Sequence, residues 1–303
     1  MDQSIFNQFR LTVMEKNLNV YGVHVYKKGE GSVAHRFRND ENVEMYSASK
    51  TFTAVAVGIC QDEGGLKLSD TVLSFFPEYA SSAAPGSETI TIRDLLHMCS
   101  GKEHSAFTVE QEKTMDLAEA LFRDPLVTKP GDCFVYTNTC PYMLGRVIEK
   151  VSGLNMRDYL MPRLFEPFGL HNPQWQTCPR GHSMGGTGLL LKTADLEKLG
   201  ILLLHKGLYE GRRIVSEAYV NAMYDDIVPN TNYAYSKDPE STSGYGYQVW
   251  RCTRPGAYRA AGKYGQHALV IPDKDAVITY TSHYEREAGD IIRAAFEGIV
   301  PLL

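Results

Sequence analysis

Residues 47–60 read SASKTFTAVAVGIC, an apolar run that opens on Ser47 and Lys50. If the run is helical, residues three apart lie on one face, so this hydroxyl and this amine can meet. A lysine near a helix N-terminus opposes the helix dipole, and an apolar helix offers it little solvated surface. The pattern therefore indicates a lysine-assisted serine nucleophile. The alternative is a serine that caps a core helix beside a solvated lysine.

Two further short motifs follow along the chain. The triplet Tyr-Thr-Asn ends at Asn138 in the turn-rich segment KPGDCFVYTN, and Lys263-Tyr264-Gly265 runs into the strand-like segment QHALVI. The order Ser-x-x-Lys, Tyr-x-Asn, Lys-x-Gly is related to the motif trio of penicillin-binding proteins and class A β-lactamases. A second Tyr-x-Asn begins at Tyr219, but its surroundings look helical, so Tyr219 is expected to pack and Tyr136 is preferred.

On these motifs the chain resembles the serine β-lactamase-like hydrolases, a family of class C β-lactamases, D,D-peptidases, D-aminopeptidases and related esterases. Most of the chain takes part in the resemblance. Four further segments carry it: DEGGLKLSD at 62–70, ITIRDLLHMCSG at 90–101, MLGRVIEKVSG at 143–153 and GGTGL at 185–189. The resemblance implies an antiparallel sheet with helices on its faces, a mostly helical lobe, and an active site between them.

The order of strand and helix signals agrees with that architecture. A helix of about fourteen residues is expected from Gln3, and strands are expected from Val20 and in the runs 246–250, 268–271 and 276–280. From Ser69 to about Met223, the sequence signals are mainly helical. We therefore expect an α+β fold (an α/β sandwich), in which residues 1–75 and 225–303 form the sheet lobe and residues 76–224 form the helical lobe.

The resemblance also implies roles for three residues of the first two motifs. Ser47 is the expected nucleophile, and Lys50 is the neighbouring amine, whose pKa burial and nearby cations lower so that it can help remove the serine proton. Tyr136 is expected to pass the proton between the nucleophile and the leaving group. Asn138 is expected to position the substrate or Lys50.

The third motif is expected to serve the substrate and the tetrahedral intermediate. Lys263, within the Lys-x-Gly motif that ends at Gly265, would favour the tyrosinate and meet an anionic substrate group. The resemblance assigns the oxyanion hole to the backbone N–H groups of Ser47 and Gln266, because such donors stabilise the negative oxygen of the intermediate. No cofactor is required.

Tyr264 bears on the substrate. Where relatives with Lys-Thr-Gly carry a hydroxyl residue that can bind a substrate carboxylate, this chain has a bulky tyrosine. The segment Gly262–Gln266 partly matches the glycine-rich segment that ends in Gly-Gln in esterase-like relatives. A small ester or amide is therefore the expected substrate. D,D-peptidase or β-lactamase action on peptides or β-lactams is the alternative, and a non-catalytic binding member of the fold is an alternative of another class.

Composition excludes several other functions. The net charge of −5 over 303 residues offers no basic surface for nucleic acid, and no apolar segment is long enough to span a membrane. The N-terminus lacks the basic-then-apolar order of a signal peptide, so a cytoplasmic location is expected. Cysteine and histidine spacings fit no metal site, and the six cysteines are expected to be reduced. The oligomeric state stays open.

Several aromatic and histidine residues are expected to be structural. Tyr245, Tyr247 and Trp250 are expected to pack one face of a strand on the core, with a substrate cleft as the alternative. His97 and His267 receive no catalytic role, although His267 directly follows the expected oxyanion donor Gln266.

Overall fold

The computed structural model describes residues 1–103, 107–287 and 289–303. The α-helices in this part of the chain are α1 (Asn7–Glu15), α2 (Ser49–Asp62), α3 (Ile92–Leu96), α4 (Val109–Thr114), α5 (Leu117–Arg123), α6 (Thr139–Ser152), α7 (Met156–Leu160), α8 (Thr193–Leu204), α9 (Glu217–Asp225), α10 (Pro239–Thr242) and α11 (Gly289–Gly298). The strands are β1 (Val20–Lys27), β2 (Gly31–Arg36), β3 (Val43–Glu44), β4 (Gln174–Trp175), β5 (Leu189–Leu191), β6 (Leu208–Tyr209), β7 (Arg212–Arg213), β8 (Trp250–Arg251), β9 (Tyr258–Gly262), β10 (Gln266–Ile271) and β11 (Ala276–Ser282).

A six-stranded antiparallel sheet joins the two ends of the chain. Its order is β2-β1-β11-β10-β9-β8, so β1 from the N-terminal part lies beside β11 from the C-terminal part. Helices cover both faces. The expected α+β class, an antiparallel sheet flanked by helices, is confirmed. The expected lobe boundaries near residues 75 and 225 stay a prediction.

The two faces of the sheet contribute to two separate cores because side chains alternate along a strand. In β10, Leu269 packs with Phe9 of α1 and Ile292 of α11. Its neighbour Val270 belongs to the larger core, which also contains Leu199 of α8. Both faces are therefore buried, which explains the continuous apolar runs 268–271 in β10 and 276–278 in β11.

Helix α2 is buried along nearly its whole length. Every residue of α2 from Ser49 to Cys60 is buried, and the helix packs against α6 in the larger core. A short 3-10 turn, Tyr46–Ala48, precedes it and lies against β9. A Cβ on Gly262, the last residue of β9, would lie 2.1 Å from the Met45 carbonyl oxygen. The start of α2 is thus held tightly at the edge of the sheet.

The expectation of a strand over 246–250 is wrong for most of its length. Only Trp250, with Arg251, forms strand β8, and the residues before it make a tight reversal. Gln248 has φ 57°, and the Gly246 N–H donates to the Val249 carbonyl. A Cβ on Gly246 would lie 1.9 Å from the Met223 carbonyl oxygen, so this glycine permits a close approach to α9 that an alternating pattern does not reveal.

Among the described helices, none has the length and apolar character needed to cross a membrane. The expected cytoplasmic location stays a prediction.

Candidate active site

Ser47 lies in the 3-10 turn that leads into α2. The residue before it, Tyr46, has φ 46°, a left-handed conformation that costs a non-glycine residue about 1 kcal/mol. The Tyr46 ring packs edge-on against Tyr264, with ring centroids 5.3 Å apart. Such strain is retained where the surrounding packing fixes the backbone, and here it orients the first turn of the helix.

Lys50 is buried and surrounded by oxygen acceptors. Its Nζ lies 3.1 Å from Ser47 Oγ, 2.6 Å from Asn138 Oδ1 and 2.8 Å from the Gly186 carbonyl oxygen. Burial lowers the Lys50 pKa from its usual 10.5 to about 7, although the Cys140 thiol, when ionised, opposes this shift. Both the ammonium and the neutral amine are therefore populated near neutral pH.

The three contacts define what the neutral amine can do. A neutral amine has two N–H donors and one lone pair. When the donors serve the Asn138 and Gly186 oxygens, the lone pair is left for the hydroxyl of Ser47. The arrangement can therefore accept the serine proton within a single hydrogen bond, which is the requirement for a general base.

Tyr136 lines the same cavity as Ser47. An interaction with the Ser47 hydroxyl lowers the pKa of Tyr136, and Lys50 Nζ lies 5.0 Å from the centre of its ring. Burial raises the Tyr136 pKa well above its usual 10; Tyr233 adds to this effect, while Ser47 and Arg259 oppose it. Tyr136 is therefore a neutral hydroxyl at neutral pH and can donate a proton.

The local sequence explains why Asn138 is free to face Lys50. Asn138 directly precedes α6, a position where asparagine commonly caps the helix, yet its side chain makes no capping bond. Thr137 Oγ1 takes that role and accepts from the Cys140 N–H at 3.1 Å. The amide oxygen of Asn138 is thus available to the lysine.

Gly186 is a site residue that the motifs do not identify. A Cβ on Gly186 would lie 3.0 Å from Asn138 Oδ1 and 3.3 Å from Lys50 Nζ. The adjacent Gly185 has φ 66°. The pair of glycines in the segment GGTGL was the available signal, because close backbone approach is a common reason for such pairs.

The third motif lies in the hairpin between β9 and β10, and only part of it reaches the cavity. Lys263 is exposed at the mouth, with Nζ 4.6 Å from the centre of the Tyr264 ring. A hydrogen bond with Tyr264 raises the pKa of Lys263. Gly265 has φ 89° and packs against Ser282, and it does not line the cavity.

Gln266 also turns away from the cavity. It pairs with Gly262 across the hairpin, and its side-chain amide donates to the carbonyls of Lys263 at 3.1 Å and Ser282 at 2.6 Å. Two other backbone donors face the cavity residues. Within the described ranges, the N–H groups of Ser47 and Lys263 have no hydrogen-bond partner.

A cavity of about 560 Å³ connects these groups. Its lining includes Ser47, Tyr136, Asn138 and Lys263, together with side chains that the sequence did not single out: Tyr233, Tyr235, Ser236, Ser241, Arg259, Tyr284, Glu285, Arg286 and Glu287. A larger and more open depression of about 940 Å³ lies around Trp175. We assign the site to the smaller cavity because only its lining contains the serine and tyrosine.

Arg259 is the buried cation of this cavity. It donates to the carbonyls of Arg251 at 3.1 Å and Glu240 at 2.6 Å, and the Glu240 carboxylate lies 3.7 Å away. The positive charge of Arg259 lowers the Tyr136 pKa, against the larger effect of burial. Sequence reasoning gave that influence to Lys263, and no motif identified Arg259.

The residues expected to be structural are placed as follows. Tyr245, Tyr247 and Trp250 are all buried, but Trp250 also lines the cavity. The His97 ring contacts the Asp226 carbonyl through Nε2 at 2.8 Å. His267 Nδ1 lies 2.8 Å from the Tyr280 hydroxyl, and His267 also lines the cavity.

The cysteines are free thiols, five of them buried and Cys133 half-buried. No group of three or more potential metal ligands occurs among the residues that the structure describes.

Comparison with known proteins places this site in context. The model of the family described as Beta-lactamase matches residues 14–298. Protein flp of Staphylococcus aureus (strain MW2) is 31% identical over 129 residues, 41% of this chain and 26% of that protein. Penicillin-binding protein 4 of Amycolatopsis lactamdurans is 27% identical over 222 residues, 62% of this chain and 58% of that protein. The matched region thus spans only part of these relatives.

The fold is also similar to solved structures over nearly its full length. EstCE1, described as a hydrolase with promiscuous acyltransferase activity, superposes with a TM-score of 0.77 at 16% identity, covering 98% of each chain. At that identity the likeness shows the fold alone.

Proposed function

Because the chain belongs to the Beta-lactamase family, we propose that it is a serine hydrolase that cleaves small esters or amides through an acyl-enzyme on Ser47. The contact of Lys50 Nζ with Ser47 Oγ at 3.1 Å carries the proposal. A buried amine with a pKa of about 7 beside a serine hydroxyl has the properties of a proton acceptor at neutral pH.

In the acylation step, Ser47 Oγ forms a bond to the substrate carbonyl carbon while its proton moves to neutral Lys50. The carbonyl oxygen becomes negative. Collapse of the intermediate breaks the bond to the leaving group, which takes a proton from the Tyr136 hydroxyl. The Lys50 ammonium returns its proton to Tyr136. In deacylation, water attacks the acyl carbon and loses a proton to neutral Lys50. Collapse of this second intermediate breaks the bond to Ser47 Oγ, which takes a proton from Tyr136, and Lys50 returns its proton to Tyr136.

For the oxyanion hole we propose the N–H groups of Ser47 and Lys263. Both lie on cavity-lining residues, and both lack a partner in the described ranges. The close contact of Gly262 with the Met45–Ala48 turn brings the two together. Gln266, the donor expected from the sequence, fits less well because it does not line the cavity. Each such donor is worth about 3 kcal/mol in the transition state.

The hairpin supports an ester or amide substrate over a peptide with a free carboxylate. Tyr264 stacks on His283 with ring centroids 4.2 Å apart and meets Tyr46 edge-on. Tyr264 also lines the cavity, and its bulky ring takes the position where relatives with Lys-Thr-Gly carry a small hydroxyl residue that can bind a carboxylate. Similarity to Penicillin-binding protein 4 favours the alternative, a D,D-peptidase or β-lactamase.

A substrate panel distinguishes these candidates. We would measure turnover of p-nitrophenyl acetate, p-nitrophenyl butyrate, a D-alanyl-D-alanine peptide and a penicillin by the wild type and by Ser47→Ala. Ser69→Ala, at a serine outside the cavity, is the matched control. Ester turnover lost only in Ser47→Ala is expected. Turnover confined to the peptide or penicillin would favour the alternative, and ligand binding without Ser47-dependent turnover would favour a binding module.

A further inference from the structure

The cavity has one wall built from four aromatic rings, those of Tyr136, Tyr233, Tyr235 and Trp250, here called the aromatic wall. Tyr233 lies at its centre, with ring centroids 5.6 Å from Tyr136 and 5.0 Å from Trp250, both in edge-on geometry. Tyr136 and Trp250 are 5.2 Å apart. Tyr136, the proposed proton donor, is therefore part of the same wall.

Tyr235 is the exposed end of the aromatic wall. Its ring lies 5.5 Å from Tyr233, yet 64% of the residue is exposed at the cavity mouth. A single exposed tyrosine is ordinary on a protein surface. This one borders the nucleophile cavity and continues a cluster of rings, so its free face offers a stacking surface to a molecule that enters.

A strap of residues 230–241 holds Tyr233 and Tyr235 in place. Buried Asn230 closes its base by donating to the Ser241 carbonyl at 3.0 Å. Asn232 donates to the Phe134 carbonyl at 2.7 Å, beside Tyr136. At the far side, Ser236 donates to Glu287 at 3.0 Å. The backbone that carries the two tyrosines is thus held at both ends before a ligand arrives, and a pre-formed surface loses less entropy on binding.

The charges around the wall favour a neutral group. Arg259 lies 5.9 Å from the centre of the Trp250 ring and would repel a cation placed on the same indole. Arg259 donates through Nη1 and Nη2 to two carbonyls, and its buried Nε has no hydrogen-bond partner in the described residues. The Glu240 carboxylate 3.7 Å away offsets its charge, so the pair adds little net charge to the cavity. The other charged lining residues are two acidic and two basic side chains: Glu285, Glu287, Lys263 and Arg286.

We propose that the aromatic wall binds a planar, uncharged aromatic group of the substrate, on one side or the other of the bond that Ser47 attacks. That this ligand is a substrate rests on the hydrolase function proposed above; that the wall binds such a group does not. A volume of about 560 Å³ is ample for an aromatic ester or amide.

Matched substrates test the proposal. Methyl phenylacetate and methyl cyclohexylacetate differ only in the aromaticity of the acyl side, and benzyl acetate and cyclohexylmethyl acetate do so on the alcohol side. We expect kcat/KM to favour the aromatic member of one pair about three- to tenfold, the range that aromatic pairing supplies. The ratio should fall towards one in Tyr233→Leu and in Tyr235→Leu. Tyr26→Leu, outside the cavity, should keep the wild-type ratio.

Exposed Tyr235 tolerates substitution even if Tyr233→Leu fails to fold. Ratios near one for both pairs in the wild type, or ratios unchanged in Tyr235→Leu and in folded Tyr233→Leu, would overturn the proposal. If no ester shows Ser47-dependent turnover, the hydrolase function fails separately. Binding of benzyl acetate and cyclohexylmethyl acetate to Ser47→Ala, followed by NMR titration, then decides: weaker aromatic binding in Tyr235→Leu supports the wall, and equal binding of both esters contradicts it.

Discussion

Ser47 is a candidate nucleophile because Lys50 lies beside it. An amine in water would be protonated at neutral pH, and its burial in α2 makes the neutral form accessible. The sequence predicted this pairing from spacing alone, since a three-residue separation on an apolar helix leaves the lysine few other partners. It did not predict the carbonyl of Gly186, because that contact joins segments 136 residues apart.

The pKa of Lys50 sets the first prediction, the pH dependence of acylation. Only the neutral amine accepts the serine proton, and burial lowers the pKa from 10.5 to about 7. The acylation rate should therefore rise as pH increases through about 7 and level off about one unit higher. Stopped-flow measurement of p-nitrophenol release from mildly acidic to strongly basic pH checks this. A rate that continues to climb to the normal lysine pKa of 10.5 would contradict the lowered pKa of Lys50.

Tyr136→Phe removes only the hydroxyl that we propose protonates the leaving group. Loss of a positioned proton donor lowers rates by about 10²–10⁴-fold. The kcat/KM for ethyl butyrate, whose alkoxide leaving group must take up a proton, should show a decrease in this range.

Tyr219→Phe is the matched control, because Tyr219 starts the other Tyr-x-Asn triplet and its hydroxyl donates to the Ala54 carbonyl at 2.8 Å. It should lower the free energy of unfolding by about 1 kcal/mol and leave kcat/KM for ethyl butyrate unchanged. Equal loss of rate in both variants would show that Tyr136 has no special role.

At the scale of elements, the β9–β10 hairpin brings a strand end against the turn that carries Ser47. Gly262→Ala would place a Cβ 2.1 Å from the Met45 carbonyl oxygen and 3.1 Å from the Ala48 nitrogen. One of the two backbones must shift, so acylation should fall at least about tenfold, a loss of about 1.4 kcal/mol in transition-state stabilisation. Fluorophosphonate labelling rates measure this directly.

Gly256→Ala provides the comparison for that hairpin. Gly256 has φ 75°, and a Cβ on it would have no neighbouring atom within 4 Å, so alanine there costs only the backbone strain, about 1 kcal/mol. Its labelling rate should match the wild type. Normal labelling in folded Gly262→Ala would show that the hairpin does not shape the site.

Elements with strong signals were predictable, and those shaped by distant packing were not. Helix α2 and strands β10 and β11 follow from apolar runs that are buried on all sides. The run 246–250 looked like a strand, yet it reverses direction because Gly246 approaches α9. An alternating pattern of apolar side chains shows only that residues are buried. A tight turn inside a core buries its residues as well as a strand does, so the pattern does not distinguish the two.

At the scale of the whole molecule, the cavity is assembled from segments that are far apart in sequence. The motifs identified Ser47, Lys50, Tyr136 and Asn138, and the structure brings them together. No sequence motif identified the strap or Arg259. Their side chains take positions in the site through tertiary packing, and no local pattern distinguishes a tyrosine on a cavity wall from one in a core.

Arg259 and Glu240 link the sheet to the strap, and removal of one of them should lower the free energy of unfolding. Both are buried, with 3.7 Å between the charged groups. Arg259→Met leaves a buried carboxylate without its cation, so the free energy of unfolding should fall by about 3–5 kcal/mol. Urea denaturation measures this change. The double variant Arg259→Met/Glu240→Met should recover part of the loss, and strictly additive effects would contradict the pairing.

The most direct test of Ser47 as the nucleophile is the intact mass of the protein after brief treatment with a fluorophosphonate. We predict addition of one phosphonyl group to the wild type and to Ser69→Ala, and none to Ser47→Ala. An unlabelled wild type, or a Ser47→Ala variant labelled as fast as the wild type, would contradict the assignment of Ser47 as the nucleophile.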